Sequence, residues 1–319
     1  MATKVPTIVV IGGSYIDIAV RCSNFPSPGH TVSGSALSYN VTGPGPNQAI
    51  EAALCGCKVY LVSKVGGDTF AAKVRSVLAE HKVNNDYVFI AEPKNTGTFI
   101  TMVNSKGENS SLVYTGANNA LQPTDIEQAE QIISQADICL IHGKLPEEAI
   151  KKAINLAKVH GIKVILNPAR PLDSASAQRK ELPLEYFAAD VIVPNLYEAA
   201  DITEHSATNI RTAKLIGSDL VARGVGIAVI TMGRRGCMIV DRQNAEHIPA
   251  YEVELVDHAG TGDAFAGALA AYYGAQENIR EAVKFASAAG ALACTKFGAI
   301  ESLPTKADII ELLQKQDLG

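Results

Sequence analysis

The run Thr7–Ile11 (TIVVI) is unbroken in apolar and mostly β-branched side chains, and it constrains this chain more than any other feature. A strand with no polar position has no face to offer water, so it must sit inside a sheet covered on both sides. Comparable runs recur at 59–62, 137–141, 162–166, 190–193 and 226–231. Between them the apolar spacing turns helical, over 47–55, 70–81, 123–135, 146–160, 180–188 and 208–223. Repeated αβ units of this kind predict a mainly parallel sheet with helices on both faces, because a parallel pair needs a crossover connection. Hairpin-like strands at 236–241 and 245–249 and three helical patterns, 262–274, 278–296 and 305–315, close the chain.

Two stretches break this rhythm. Residues 15–22 and 31–41 alternate loosely and are rich in Ser, Thr, Val and Tyr, while 98–103 and 110–114 flank the turn-forming NSKGEN at 104–109. Short alternating strands suit a sheet with one wet face. The expected organisation is therefore an α/β domain of residues 1–14, 42–96 and 116–319, with a small sheet inserted discontinuously from 15–41 and 97–115. A cleft between two such parts is a usual place for a small ligand.

Composition narrows the function. Hydrophobic residues make up 47% and charged residues 19%, enough apolar material for a large core. A net charge of −5 gives no general attraction to nucleic acid, so any phosphate site must be local. The six cysteines, at 22, 55, 57, 139, 237 and 294, lack metal-ligand spacing and read as buried free thiols in a reducing compartment. With no signal-like N-terminal segment and no membrane-length apolar stretch, the expectation is a cytoplasmic protein with no membrane partner. There is no G-x-x-x-x-G-K-[ST], and Gly12-Gly13 lacks the remaining glycines of a dinucleotide fingerprint. H-E-x-x-H and G-x-S-x-G are absent too, against metalloprotease and α/β-hydrolase chemistry.

The chemistry-bearing stretch is 256–269, where Gly260-Thr261-Gly262-Asp263 leads into an Ala-rich helix. The first amides of a helix have no internal partners and, with the dipole behind them, suit an anion. Asp263 then has two readings: a common N-terminal helix acid, or a base taking the proton of a hydroxyl that attacks a phosphate held by those amides. Asn47, at the entry of the first long helix, either caps it or meets a ligand hydroxyl together with Asp17. Asn195 and Glu198 stand three apart, as a capping box or as a pair near a phosphate and a hydrated Mg2+. Thr231-Met232-Gly233-Arg234-Arg235-Gly236 flanks phosphates or is a plain hairpin turn.

Taken in order, Asp17 after its strand, Gly43-Pro44-Gly45-Pro46-Asn47-Gln48-Ala49, Asn118-Asn119-Ala120-Leu121, Leu166-Asn167-Pro168-Ala169, Pro194-Asn195 with Glu198, Thr231 with Gly233 and Gly236, and Asp257 through Asp263 match one pattern. Over nearly its whole length the chain resembles the ribokinase family of PfkB-type carbohydrate kinases, most nearly its ribokinase branch. The resemblance implies a three-layer αβα sandwich with a mainly parallel central sheet and a small β-sheet lid. It implies ATP-dependent phosphorylation of a primary hydroxyl of a pentose-like sugar, with Asp263 as general base and Gly260, Thr261 and Gly262 as anion hole. By the same resemblance Asn195 and Glu198 serve the phosphates and Mg2+, Thr231, Gly233 and Gly236 border the nucleotide, and Ser287 lies near adenine. Asp17, Gly43 and Asn47 hold sugar hydroxyls. A K+ ion is implied beside the anion hole, at the Asp257 side chain, the backbone of Ala259, Ala293, Lys296 and Gly298, and Ser302. A homodimer clasped through two lids is implied as well.

Departures from the pattern fall on the sugar side. Tyr15 stands where Asn is usual, Lys144 where Glu is usual, and the loop Thr42-Gly43-Pro44-Gly45-Pro46-Asn47 has lost the usual Lys. On the catalytic side Thr261 replaces the common Ala, and His258 follows Asp257. A changed donor or acceptor in a polar pocket alters substrate preference strongly. The acceptor thus stays open between a pentose such as ribose, a bulkier or differently charged sugar, and a nucleoside stacking on Tyr15. A non-catalytic sugar-binding relative with the same fold is the other class.

Overall fold

Side chains alternate across β1 (Thr7–Ile11), and this alternation sets the layering of the molecule. Ile8 and Val10 project into one hydrophobic core, Val9 and Ile11 into another, and all four are fully buried. The computed structural model describes residues 4–169, 181–207 and 209–317. After β1 come β2 (Tyr15–Cys22), β3 (Gly34–Thr42), α1 (Pro44–Leu54), β4 (Lys58–Gly66), α2 (Thr69–Glu80), β5 (Val83–Asn84), β6 (Val88–Ala91), β7 (Gly97–Val103) and β8 (Asn109–Tyr114). The middle of the chain forms α3 (Pro123–Gln128), α4 (Glu130–Ile133), β9 (Ile138–His142), α5 (Glu147–Val159), β10 (Lys163–Asn167), β11 (Val191–Ile192), α6 (Leu196–Thr203), α7 (Ile210–Ala222) and β12 (Ile227–Thr231). It ends with β13 (Cys237–Val240), β14 (Ala245–Ile248), α8 (Thr261–Gln276), α9 (Ile279–Ala293) and α10 (Lys306–Asp317).

The large sheet runs in the order β14-β13-β12-β11-β10-β9-β1-β4-β5, with β6 also paired to β4. Pairings from β12 to β5 are parallel, and the β12-β13-β14 end is antiparallel. Helices α1, α2, α8, α9 and α10 share one core with this sheet, and α3 through α7 share the other, giving three αβα layers. The second sheet, β3-β2-β7-β8, stands apart, with β2 and β7 parallel and its outer pairs antiparallel. Among the described residues no helix is long and apolar enough to cross a membrane.

Local chemistry moved several boundaries. The 43–47 segment, read as a loop, is the start of α1: Gly43 is the N-cap at φ 106°, and Pro44 and Pro46 lie in the first turn. Prolines are tolerated there because the first-turn N–H groups have no helical partner to lose. The helix expected over 123–135 divides at Ala129 into α3 and α4. In the 180–188 region, residue 180 lies outside the described residues, and Leu184–Ala188 is a single 3-10 turn. For 208–223, residue 208 is likewise outside them, and α7 starts after the Asn209 cap, whose side chain accepts from the amides of Arg211 and Thr212. The short parallel strands β5 and β6 extend the sheet without a clear sequence signal.

Helix α8 carries buried residues all round, since it lies between α1 and α9 as well as over the sheet. Its contact with α1 depends on Gly267. A Cβ there would come within 2.6 Å of the Gln48 carbonyl oxygen and 2.7 Å of the Glu51 Cβ. The α1 face turned to this crossing is polar yet buried, with Asn47, Gln48 and Glu51 at 3%, 0% and 0% exposure. Desolvation raises the Glu51 carboxyl from the ordinary 4.5 to about 8, opposed by a hydrogen bond from the Cys55 thiol.

Two predictions rest on this crossing. Gly267→Ala overpacks it and lowers stability by about 1–3 kcal/mol, read as an earlier urea midpoint at unchanged slope. Glu51 holds its proton more tightly in the folded than in the unfolded chain. Its contribution is therefore full below about pH 4.5 and declines as pH rises through about 8. The neutral Glu51→Gln escapes this loss, so its melting temperature relative to wild type rises from pH 5 to pH 8; a flat difference would refute the buried, protonated Glu51.

Candidate active site

A cavity of about 350 Å3 opens at the carboxyl ends of the parallel strands, where His142 ends β9, Asn167 ends β10 and Thr231 ends β12. Open α/β sheets place ligands at this edge because the following loops and helix N-termini converge there. The N-terminus of α8 forms part of its wall, with Gly260 as the N-cap at φ 73°. Gly262 is open to the cleft, a Cβ there meeting nothing within 4 Å. The first-turn amides of α8 therefore sit at the cavity without helical partners, as an anion site requires.

Asp263 lies on that first turn, but it does not cap its own helix. Its Oδ2 accepts from Asn47 Nδ2 at 2.8 Å and its Oδ1 from Gln48 Nε2 at 2.9 Å, across 216 and 215 residues of sequence. Burial raises the carboxyl, while the bonds from Asn47 and Gln48 and the charge of Lys144 lower it. Each oxygen keeps lone pairs beyond the one amide bond, so the group can still accept a proton. Asn47 is thus no helix cap. Gln48, which the sequence pattern did not single out, is its equal partner.

Beyond the α8 N-terminus a second cavity of about 740 Å3 adjoins the first, the two sharing Thr231, His258, Thr261, Gly262 and Phe265 in their walls. Gly233, Gly236 and Ser287 line this second space, with Ser287 Oγ 3.5 Å from the Cys237 thiol. Gly236 holds φ 79° against β14, where a Cβ would come within 2.8 Å of the Ala250 amide nitrogen. The two cavities adjoin along the N-terminal turn of α8, with Thr261 and Gly262 in both walls and Asp263 in that of the smaller one.

Other expected residues fall into place less directly. Asn195 and Glu198 line the first cavity and form a capping box: Asn195 Oδ1 accepts from the Tyr197 and Glu198 amides, and Glu198 Oε2 accepts from the Asn195 amide at 2.9 Å. Asp257 is held by two amides, Ala259 to Oδ1 and Gly298 to Oδ2, each at 3.1 Å. Its own amide and that of Val256 donate to the Cys294 carbonyl. Ala293 is buried at the end of α9, and Ser302 Oγ donates to the Ala299 carbonyl. Lys296 lies in the loop between, among residues 295–298. Among the described residues no group of three or more His, Cys, Asp or Glu side chains could hold a metal.

On the side of the second sheet, Tyr15 and Gly43 line the first cavity. The Tyr15 ring packs on Phe99 with centroids 5.0 Å apart, and burial pushes its hydroxyl up to about 12. Asp17 lies one pleat further out on β2 than Tyr15, on the same face, accepting from the Thr101 hydroxyl at 2.7 Å. Lys144 and His142 form another part of the wall. Burial, with the Lys144 charge second, lowers the His142 imidazole to about 3, so it is neutral. The sequence held a signal for His142 only in its position at the end of a strand.

Known proteins match this chain over nearly its whole length. The profile described as "pfkB family carbohydrate kinase" matches residues 5–306. A deoxyribokinase of Salmonella typhi is 32% identical over 299 residues, 93% of this chain and 95% of its own length. A Mus musculus ribokinase is 30% identical over 306 residues, 95% of this chain and 93% of its own. The structure of Arabidopsis thaliana ribokinase complexed with ribose and ATP superposes with a TM-score of 0.87 at 25% identity, covering 98% of this chain and 99% of that one. The chain therefore belongs to the pfkB family and is a ribokinase-like sugar kinase, a phosphotransferase with an alcohol group as acceptor.

Proposed function

We propose that this kinase transfers the γ-phosphoryl group of ATP to a primary hydroxyl of a pentose-like sugar, with Asp263 as general base. The observation that carries the reading is the Asp263 carboxylate, fixed by Asn47 and Gln48 on the first turn of α8 in the wall of the smaller cavity, beside Thr261 and Gly262, which line both cavities. The hydroxyl oxygen forms a bond to the γ-phosphorus, the bond from that phosphorus to the β,γ-bridging oxygen breaks, and the hydroxyl proton passes to Asp263. The amides at 260–262 stabilise the charge on the transferring group. The larger cavity suits the nucleotide, bordered by Thr231, Gly233, Gly236 and Ser287.

Asn195 and Glu198 fit a hydrated Mg2+, which binds through its own waters and needs few protein ligands. When bound it neutralises phosphate charge; Asn195 and Glu198 keep the α6 N-terminus in place beside it. The Asp257 carboxylate, held by two amides with lone pairs to spare, and the neighbouring backbone carbonyls make an all-oxygen donor set suited to K+. Such an ion would steady the loop that ends in the anion hole.

The second sheet suits a lid. Its cleft-side face carries Tyr15, Asp17 and Phe99, with Asn40, Thr101 and Ser111 in register beyond them. The opposite face aligns Ile18 with Tyr39 and Ile100, Ile100 with Leu112, and Val20 with Leu37. Leu37, Tyr39, Ile100 and Leu112 are 55%, 44%, 45% and 67% exposed, an apolar patch that a second copy of the lid would cover. A nucleoside acceptor is a second reading, favoured by the Tyr15–Phe99 aromatic wall.

Asp263→Asn should retain ATP binding and lose at least about a hundredfold in turnover, measured by coupled ADP release over pentoses and nucleosides with Mg2+ and K+ present. Near-normal turnover would sink the base assignment, and a nucleoside preferred over every sugar would replace the acceptor. Leu112→Asp places a charge in the lid patch and should shift the protein from dimer to monomer in sedimentation velocity; a wild type that sediments as a monomer removes the dimer.

A further inference from the structure

The acceptor side of the cleft holds a charge that no described residue pairs directly. Lys144 is half-buried in the wall of the smaller cavity, which also contains Asp263, and it does not line the nucleotide-sized one. Its ammonium makes no hydrogen bond or ion pair among the described residues. Other half-buried lysines are matched: Lys151 to Glu147 at 2.6 Å, Lys152 to Glu127 at 2.6 Å, Lys163 to Glu277 at 2.6 Å, and the more deeply buried Lys64 to Asp125 at 2.7 Å. Asp263 makes no direct contact with this ammonium and feels Lys144 only through its field.

Beside this ammonium stands a second donor. The Lys144 backbone N–H donates to His142 Nδ1 at 3.2 Å. In a neutral ring that bond makes Nδ1 the acceptor and leaves the proton on Nε2. This part of the cavity thus offers an ammonium and an imidazole N–H. An ammonium partly stripped of water regains most from a charged acceptor, since charge-assisted hydrogen bonds are about twice as strong as neutral ones. A neutral polyol offers it only hydroxyl dipoles.

We infer that the acceptor of this kinase carries an anionic group, a carboxylate or a phosphate, that sits against Lys144 and His142 while its primary hydroxyl meets Asp263. The inference rests on the kinase reading above and narrows its substrate class. The anionic group takes no part in bond making: hydroxyl oxygen to γ-phosphorus still forms, the bond to the β,γ-bridging oxygen still breaks, and the proton still goes to Asp263. Lys144 is then a specificity-determining residue whose effect depends on the acceptor's charge.

The test is ADP release by the full chain with ATP, Mg2+ and K+, comparing D-ribonate and D-ribose 1-phosphate with D-ribose and ribitol. At least one anionic acceptor should exceed the neutral ones about tenfold or more in kcat/KM, and which anion leads separates carboxylate from phosphate. Lys144→Gln should lower the anionic-to-neutral ratio by about tenfold, and Lys144→Glu should invert it. Each ratio is internal to one protein, so partial misfolding of a variant cancels. Neutral acceptors equal to or better than both anions, or a ratio unmoved by Lys144→Gln, overturns the inference and leaves the kinase reading standing. No ADP release from any acceptor overturns both.

Discussion

The crossing of α1 and α8 is the contact on which the rest of the site depends. Two consecutive side chains of α1, Asn47 and Gln48, each donate to one oxygen of Asp263. They can do so only because Gly267, one turn further along α8, has no side chain and lets the helices approach. Backbone packing thus sets the direction of the carboxylate. The same crossing buries Glu51 against α8, so its neutrality and the orientation of Asp263 belong to one interface. Desolvation raises the Asp263 proton affinity above that of a free carboxyl, and the hydrogen bonds from Asn47 and Gln48 oppose it.

A second set of contacts ties the smaller sheet to this centre. Asn118 spans Ser14 in both directions, its Oδ1 accepting the Ser14 amide and its Nδ2 donating to the Ser14 carbonyl, both at 2.8 Å. Asp68 caps α2 and also receives the Thr96 amide and hydroxyl at 2.7 Å, just before β7. Both roots of the sheet are therefore fixed to the α/β body through buried, satisfied polar groups, while its outer strands remain exposed.

Periodicity carried most of the architecture. Unbroken apolar runs such as TIVVI became strands buried on both faces, and the looser 15–41 and 97–115 segments became the separate sheet. The pattern was weaker where backbone chemistry competes with periodicity. Prolines 44 and 46 read as loop residues, although first-turn positions accept them. Ala129 interrupts a helix without any breaker in the sequence. In the site, Asp263 and the glycines before it were visible as a glycine turn entering a helix, and Asn195 with Glu198 as a three-residue spacing. Gln48 and His142 were not, since an amide in an Ala-rich helix and a histidine at a strand end carry no local mark of function. Asp17 was visible, and its bond from the Thr101 hydroxyl, one pleat beyond Tyr15, was not.

By itself, the sequence determined the class of sheet, the inserted second sheet and the turn that opens α8, because each depends on residues within one or two elements. Only the tertiary structure decided what those pieces do to one another. It matched Asp263 with Asn47 and Gln48 across 216 and 215 residues, brought the smaller and the larger cavity together at one helix end, and left Lys144 without a direct partner among the described residues. Such pairings are set by how helices pack over a sheet, and no local period encodes which side chains will meet there.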